Sequence, residues 1–320
     1  MSNLQLPLEI PKSQPDMYRT FVILRHTFLE AIVQPIYTLL LALGAVILFI
    51  FALLPFFTLG EDTVMFKSVG LDVILLLVLI VTLFATSRSI YEEIEDRTML
   101  TLMSKPVQKW EVLVGKYLGI ALAAALAIAV LGAILVLCTW ARLPGDYQLR
   151  TSTIDERELK QILDMRLMHI AGLIPSLILM WLQISVLAAI GVALSTRFSL
   201  VVNLPVVILL YVAGNLTRFL FPLDGPNAPL AGRGPIAKGV AYVISLVLPY
   251  LETFDLRQKT VYATIKLSNT MYANDPRGVA MSEIWSYTGV AAIYAVCYAA
   301  FALAVGMWLF QTRELGGAEG

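Results

Sequence analysis

Six long apolar segments limit how this 320-residue chain can fold. Each is close to the length of about 20 apolar residues that a helix needs to cross the hydrocarbon core of a bilayer. Hydrophobic residues make up 58% of the chain and charged residues 14%, whereas soluble domains carry about 25% charged residues. We therefore expect an all-α polytopic membrane protein, with residues 1–320 forming a single transmembrane domain. The six predicted transmembrane helices are 36–58, 70–88, 112–140, 167–195, 199–221 and 285–310.

A helix at residues 16–35 is expected to lie in the membrane interface before the first span. Asp16 suits the N-cap position, and Pro35 ends or kinks the helix. Apolar and polar side chains occupy different faces, as in interfacial amphipathic helices. The apolar face holds Phe21, Leu24, Phe28 and Ile32, and the polar face holds Arg19, His26 and Glu30. The alternative is a polar extension of the first span.

The longest interruption between apolar segments is residues 222–284. It opens with a loop rich in Pro and Gly. Residues 237–251 then supply about a dozen apolar residues, too few to cross a bilayer. A re-entrant or interfacial helix before the last span is therefore expected. If residues 237–251 did span the membrane, the C-terminus would change sides.

Basic residues close to the span ends predict the orientation, because they favour the cytoplasmic side. Both termini and residues 89–112 are therefore expected in the cytoplasm, and residues 142–165 and 222–284 outside. Residues 141–166 also carry basic side chains, so the charge rule favours this orientation only moderately. The chain is expected to be an integral protein of the cytoplasmic (plasma) membrane.

Composition argues against several classes of function. The net charge is zero, with 23 basic and 23 acidic residues, which gives no sign of nucleic-acid binding. Cys138 and Cys297 lie in apolar runs and are interpreted as small core residues rather than a disulfide or metal site. The two histidines, His26 and His169, are too far apart in sequence to suggest a metal or catalytic cluster.

Three amides stand out within the predicted fourth and fifth spans. Because intramembrane ionisable groups usually mark proton or ion pathways, their scarcity in the spans argues against a proton-coupled transporter. Hydrogen bonding between helices is the favoured interpretation of these amides, and a place along a translocation path is the alternative. They are Gln183, Asn203 and Asn215.

The charged stretch 91–116 joins the second and third predicted spans. Residues 89–103 are expected to form a helix that Pro106 ends, followed by a turn and a helix that continues into span three. Its acidic side chains, Glu92, Glu93, Glu95 and Asp96, are expected to face away from its apolar side. Gly115 and Gly119 lie four residues apart, a spacing that lets helices approach closely, within the chain or between copies.

The sequence EEIEDRTMLTLMSKPVQKWEVLVGKYLG resembles the segment after the second span of ABC-type-2 transporter permeases. LPYLETFDLR and the terminal FQTREL are also similar to that family. The chain departs from the commonest pattern at Asp96-Arg97-Thr98, where many members have a glycine before the threonine. The resemblance implies a permease that pairs with a second copy or close paralogue and is driven by a separate ATPase.

The resemblance also implies a cytoplasmic coupling helix that docks on the ATPase. The residues it assigns to coupling are Glu92, Glu93, Glu95, Asp96, Arg97, Thr98, Leu100, Leu102 and Met103. The sequence contains no G-x-x-x-x-G-K-[ST] phosphate loop, so ATP is expected to act through the partner, with no cofactor bound by this chain. We expect an exporter subunit that is not itself an enzyme.

Two other classes remain open. Glu92, Glu93 and Arg97 match the E-E-x-x-x-R element of CAAX-type intramembrane proteases, in which a glutamate would act as general base on a water. Such enzymes also need histidines within their spans, which His26 and His169 do not readily supply. The third class is a structural membrane anchor, or a protein that transmits force to an extracytoplasmic partner through residues 222–284.

Overall fold

The computed structural model describes residues 16–54, 62–96, 108–141, 156–216 and 248–311, which are almost entirely helical. Five helical stretches are long and apolar enough to cross a membrane, and a sixth apolar helix has 16 residues. The predicted all-α polytopic membrane fold is confirmed, while the number of spans stays a prediction. The principal helices are α1 (Asp16–Val33), α2 (Pro35–Leu53), α3 (Asp62–Ser87), α4 (Lys109–Ala141), α5 (Glu156–Ala171), α6 (Leu173–Ser195), α7 (Leu200–Asn215) and α8 (Met281–Gln311).

The helix containing the second predicted span is longer than 70–88. It begins at Asp62 and continues past Ser87 through a π-helical turn, Arg88–Glu92, and a last α-helical turn, Glu93–Glu95. Hydropathy underestimates its length because it detects the apolar stretch and not the polar turns on either side. We call this continuous helical stretch, Asp62–Glu95, the α3 rod. The helix expected from residue 89 is therefore, where described, the end of the α3 rod.

Two helix boundaries follow from local chemistry. Pro35 occupies the first turn of α2, where its missing N–H leaves no hydrogen bond unmade. Gly172 separates α5 from α6, whereas the sequence predicted one helix over 167–195. A Cβ at Gly172 would lie 1.9 Å from the carbonyl oxygen of Thr260, so a later segment packs against the bare backbone there.

Helix α6 lies at the centre of the bundle. Of the 18 most apolar consecutive residues in α5–α6, 72% are buried, compared with 17% of those in α2. Helix α6 packs against α3, α4 and α8, and α2 packs on the outside against α3 and α4. The largely apolar sequence of α6 is buried on several sides, as expected for a core helix.

Contacts at the helix ends show that three neighbouring helix ends meet. The Lys109 ammonium at the start of α4 lies 5.2 Å from the ring centroid of Phe310, near the end of α8. Arg197, just after α6, donates from Nε to the carbonyl oxygen of Leu309 at 3.2 Å. Since Glu93 also contacts α4 near its start, we call this side of the bundle the Glu93 end.

Residues 248–280, which we call the cap segment, cover the opposite side. They include a 3₁₀ turn at Leu251–Phe254, a helical turn at Arg257–Thr260 and a two-residue parallel strand pair, Ile265–Lys266 with Val279–Ala280. The Tyr262 hydroxyl lies 3.1 Å from Ser68 Oγ near the start of α3. Residues 237–247 lie outside the described part of the chain, so the re-entrant helix expected at 237–251 stays a prediction.

Helix α1 packs lengthwise along the first third of α4. Thr20 and Ile23 face Gly115, and Leu24, Thr27 and Phe28 face Gly119. The exposed surface of α1 includes large apolar side chains, among them Phe21, although the sequence placed Phe21 on one apolar face with Leu24, Phe28 and Ile32. Apolar side chains therefore lie both on the exposed surface of α1 and on the surface that faces α4. The position of α1 in the membrane interface stays a prediction.

Candidate functional site

Lys116 joins the end of the α3 rod to α4. Its side chain is 4% exposed, and Nζ lies 2.6 Å from Glu93 Oε1. The same ammonium donates to the carbonyl oxygen of Ser89 and, at 3.2 Å, to Ser89 Oγ. All three acceptors belong to the π-helical turn or the residue just after it. A charged lysine inside the bundle is therefore paired with three acceptors, and these contacts link the two helices.

The π-helical turn places this connection next to the exposed acidic residues. Single π turns inside α-helices are rare and are frequent at functional sites. Glu92, Glu95 and Asp96 are exposed. Arg88 and Glu92 lie 3.8 Å apart, but both side chains are 54% exposed, so this pair contributes little.

Glu93 does not lie with the other acidic residues. Its side chain is 25% exposed and turned toward Lys116, so the expectation that all four acidic residues face away was wrong for Glu93. Helical periodicity could not reveal this, because the partner lies on another helix. Its role in coupling stays a prediction. The other residues assigned to coupling lie outside the described part of the chain: Arg97, Thr98, Leu100, Leu102 and Met103.

Glu111 is a buried acid at the same end that sequence reasoning missed. Its Oε2 accepts a 2.8 Å hydrogen bond from the backbone N–H of Gln108, as in an N-terminal capping box. The residue is fully buried, and Oε1 has no hydrogen-bond partner among the described residues. A glutamate three residues after the capping position, Gln108, is the signal that could have identified this cap.

Gly115 and Gly119 lie where α1 packs along α4. A Cβ at Gly119 would lie 2.7 Å from the carbonyl oxygen of Leu24 and 2.8 Å from Thr27 Cβ. A Cβ at Gly115 would lie 2.9 Å from Ile23 Cγ2. The glycines thus allow a close approach within the chain, to the N-terminal helix rather than to another span.

Two of the three predicted amides come together beneath the cap segment. Gln183 and Asn215 are 3.5 Å apart from Nε2 to Oδ1, and Asn215 Nδ2 donates to the carbonyl oxygen of Tyr211 at 2.8 Å. They border a polar cavity of about 120 Å³. A polar cavity of this size has room for a few waters. Both interpretations of the amides, helix–helix contact and a polar path, are compatible with this position.

A charged pair that the sequence did not suggest borders the same cavity. Arg257 of the cap segment contacts Asp72 of α3 at 2.6 Å, and Asp255 at 3.6 Å. Burial by itself lowers the pKa of Arg257, but the hydrogen bond to Asp72 and the two carboxylates outweigh it and raise that pKa above its ordinary value. The guanidinium is therefore always charged and links the cap segment to α3.

Asn203 lies elsewhere. Its Nδ2 donates to the carbonyl oxygen of Gly191 at 3.2 Å and to Ser195 Oγ at 2.7 Å. It therefore holds the turn between α6 and α7, about 18 Å along α7 from Asn215. Its Oδ1 is buried with no hydrogen-bond partner among the described residues.

The histidines are not arranged for hydrolysis beside Glu92 and Glu93. His169 accepts a 3.0 Å hydrogen bond at Nδ1 from Lys67. Lys67 is about 39 Å along the α3 rod from Glu93. His26 is largely exposed, with its ring 3.9 Å from Glu30. Among the described residues, no group of three or more His, Cys, Asp or Glu side chains could hold a metal ion.

These features describe a helical membrane bundle with a charged, internally braced end and a capped end that encloses polar groups. A search of curated proteins finds no match to the chain. The family model described as ABC-2 family transporter protein matches residues 25–315, nearly the whole chain. This match confirms the resemblance seen in the sequence, and the chain belongs to the ABC-2 family of transporter proteins.

Proposed function

We propose that this membrane permease subunit forms part of an ATP-driven exporter, coupled to its separate ATPase through residues 89–112. The observation that carries the proposal is the contact of Lys116 with Glu93 and Ser89. A force applied to the exposed acids at the end of α3 would pass through this buried contact into α4. The helices would then move together rather than bend independently.

In this proposal the Glu93 end faces the cytoplasm and the cap segment lies outside. The start of α1 and the end of α8 lie at the same end as Glu93, which supports placing both termini in the cytoplasm. The cap segment, held to α3 by Arg257 and Asp72, would be available to an extracytoplasmic partner. The membrane would be the cytoplasmic membrane.

The charges along α3 support a second copy and an aqueous path beside this helix. Asp72 and Arg88 are both more than half exposed. Along an α-helix they are about 24 Å apart, less than the about 30 Å thickness of the hydrocarbon core. At least one of the two charges therefore lies within the thickness of the hydrocarbon core. Since a charge exposed to lipid is costly, the surface around Asp72 is proposed to face water or a second permease copy.

Isolation of the complex tests this function. A tagged permease purified from its native membrane in mild detergent is expected to retain vanadate-sensitive ATP hydrolysis. Native mass measurement should give two permease subunits and two ATPase subunits. Purification of an intact, folded permease that carries no ATPase under several mild detergents would contradict the proposed coupling.

A further inference from the structure

An apolar groove runs along the outside of the bundle between α4 and α8, with α6 as its floor. Its volume is about 600 Å³. The wall from α4 includes Leu118 and Ala121, the floor includes Trp181, and the wall from α8 includes Ala299, Ala300 and Leu303. Several of these α8 residues are alanines, which leave the space between the two helices unfilled.

The groove is lined almost entirely by apolar atoms. The indole N–H of Trp181 donates to the carbonyl oxygen of Ala121 at 3.0 Å. The hydroxyl of Ser185 donates to the carbonyl oxygen of Trp181 at 2.8 Å. These polar groups are satisfied within the chain and need no ligand. An occupant that fills the groove therefore gains by apolar contact and dispersion.

The length of the groove matches one leaflet of a bilayer. On α4 it runs from Trp110 to Ala121, about 17 Å along the helix. Half of the hydrocarbon core is about 15 Å thick. Tryptophan and lysine are typical of the interface between hydrocarbon and headgroups, and Lys109 and Trp110 both lie at the Glu93 end of the groove.

An acyl chain is slender and flexible and can follow the floor of the groove, whereas an α-helix with its side chains is about 10–12 Å across. A helix from a second copy is the competing occupant, and cross-linking between copies tests it.

We propose that this groove binds one acyl chain of a phospholipid from the bilayer leaflet at the Glu93 end, with the phosphate near Lys109. The Lys109 ammonium, held 5.2 Å from the centroid of the Phe310 ring, lies just beyond the groove residue Met307. A lysine at that position is a cation for the lipid phosphate. This inference depends on the membrane fold and not on the proposed ATPase coupling.

Photo-cross-linking tests the site. The wild-type protein is reconstituted with a phospholipid that carries a diazirine in one acyl chain, irradiated and mapped by peptide mass spectrometry. We expect several-fold more adducts at Leu118 than at Phe301. Phe301 is the reference because it is 57% exposed and lies on another face of α8. Equal labelling at the two residues would show ordinary lipid contact and overturn the proposal.

Matched variants separate the groove from the rest of the surface. Ala300→Phe fills the groove and should abolish the excess labelling at Leu118. Val305→Phe adds the same ring on the other side of α8 and should leave that excess intact. Both variants are checked for monodispersity and thermal unfolding. Excess labelling that persists in a folded Ala300→Phe protein would overturn the proposal.

Two further measurements test the headgroup and the competing occupant. Lys109→Gln should lower labelling by the phospholipid but not by a diazirine diacylglycerol, which has no phosphate; equal effects on the two lipids would remove Lys109 from the site. Ala300→Cys, in a protein with Cys138 and Cys297 replaced by serine, should not cross-link between copies. Efficient cross-linking would assign the groove to a second copy instead.

Discussion

The ammonium of Lys116 lies 2.6 Å from a carboxylate oxygen of Glu93, and Ser89 supplies two further acceptors. These residues are far apart in sequence and belong to consecutive apolar helices. Their contact holds the end of the helical stretch Asp62–Glu95 against α4. In the proposed function, force from the ATPase partner would enter the membrane domain at this contact.

Replacing Lys116 by methionine is expected to destabilise the protein by about 1–3 kcal/mol, because Glu93 and the Ser89 carbonyl lose their donor while still partly buried. Glu93→Gln keeps a hydrogen-bond acceptor and should cost less. Thermal unfolding in detergent, measured for both single variants and the double variant, gives the coupling between the residues. Additive effects in this cycle would mean that the contact contributes nothing to stability.

Gly119→Ala is expected to destabilise the protein by about 1–3 kcal/mol, because the new methyl group would lie 2.7 Å from the Leu24 carbonyl oxygen and force α1 away from α4. Gly289→Ala is the matched control. A Cβ at Gly289 meets nothing within 4 Å, so this change should be neutral or stabilising by up to about 1 kcal/mol through helix propensity. Unfolding temperatures of the two variants provide the comparison, and equal shifts would be inconsistent with a close α1–α4 contact.

The sequence predicted the helices well and the polar contacts poorly. Apolar runs of about 20 residues are visible in one dimension, so α2, α4 and α8 could be located within a few residues. Lys67, Glu111 and Lys116 could not be recognised as buried, because burial of a charge depends on a partner from another segment. Lys67, for example, donates to His169 and, at 3.3 Å, to the carbonyl oxygen of Val261, and no periodicity relates these residues.

The same limit explains what could be predicted of the candidate site. Gln183 and Asn215 stood out because amides are rare in apolar helices, and the structure brings these two together. Asp72 and Arg257 passed unnoticed because each lies near the end of an apolar stretch, where charges are common. Their pairing depends on how the cap segment folds back onto α3.

Water accessibility of the Asp72 surface can be measured in the cysteine-free protein. Leu76→Cys, one turn along α3 from Asp72, is expected to react with a membrane-impermeant thiol reagent added from outside. Ile293→Cys on α8 is the control, with a comparable exposed fraction, 67% against 57% for Leu76. Its expected environment is lipid, where thiolates do not form readily. Similar slow reaction at both positions would mean that the Asp72 surface does not border water.

The topology can be tested by placing single cysteines in a protein with Cys138 and Cys297 replaced by serine. An impermeant reagent applied to intact cells should label Ser152→Cys and Asn227→Cys but not Glu95→Cys. The expected pattern follows from basic residues at the proposed inner span ends. Permeabilised cells provide the control for reactivity of Glu95→Cys. Labelling of Glu95→Cys in intact cells, or protection of both other sites, would reverse or break the proposed orientation.

Coupling to the ATPase should depend more on apolar anchors than on surface acids. An exposed charge such as Glu95 is worth about 0–1 kcal/mol in a contact, whereas an apolar residue buried at an interface can be worth about 2 kcal/mol or more. We therefore expect Leu102→Asp to reduce ATPase co-purification and transport strongly, and Glu95→Ala to reduce them slightly, with insertion unchanged in both. The protease alternative predicts the opposite order, because loss of Glu92 or Glu93 would then abolish activity while Leu102 would be nearly silent. Full transport and an intact complex in Leu102→Asp would remove the coupling role from this segment.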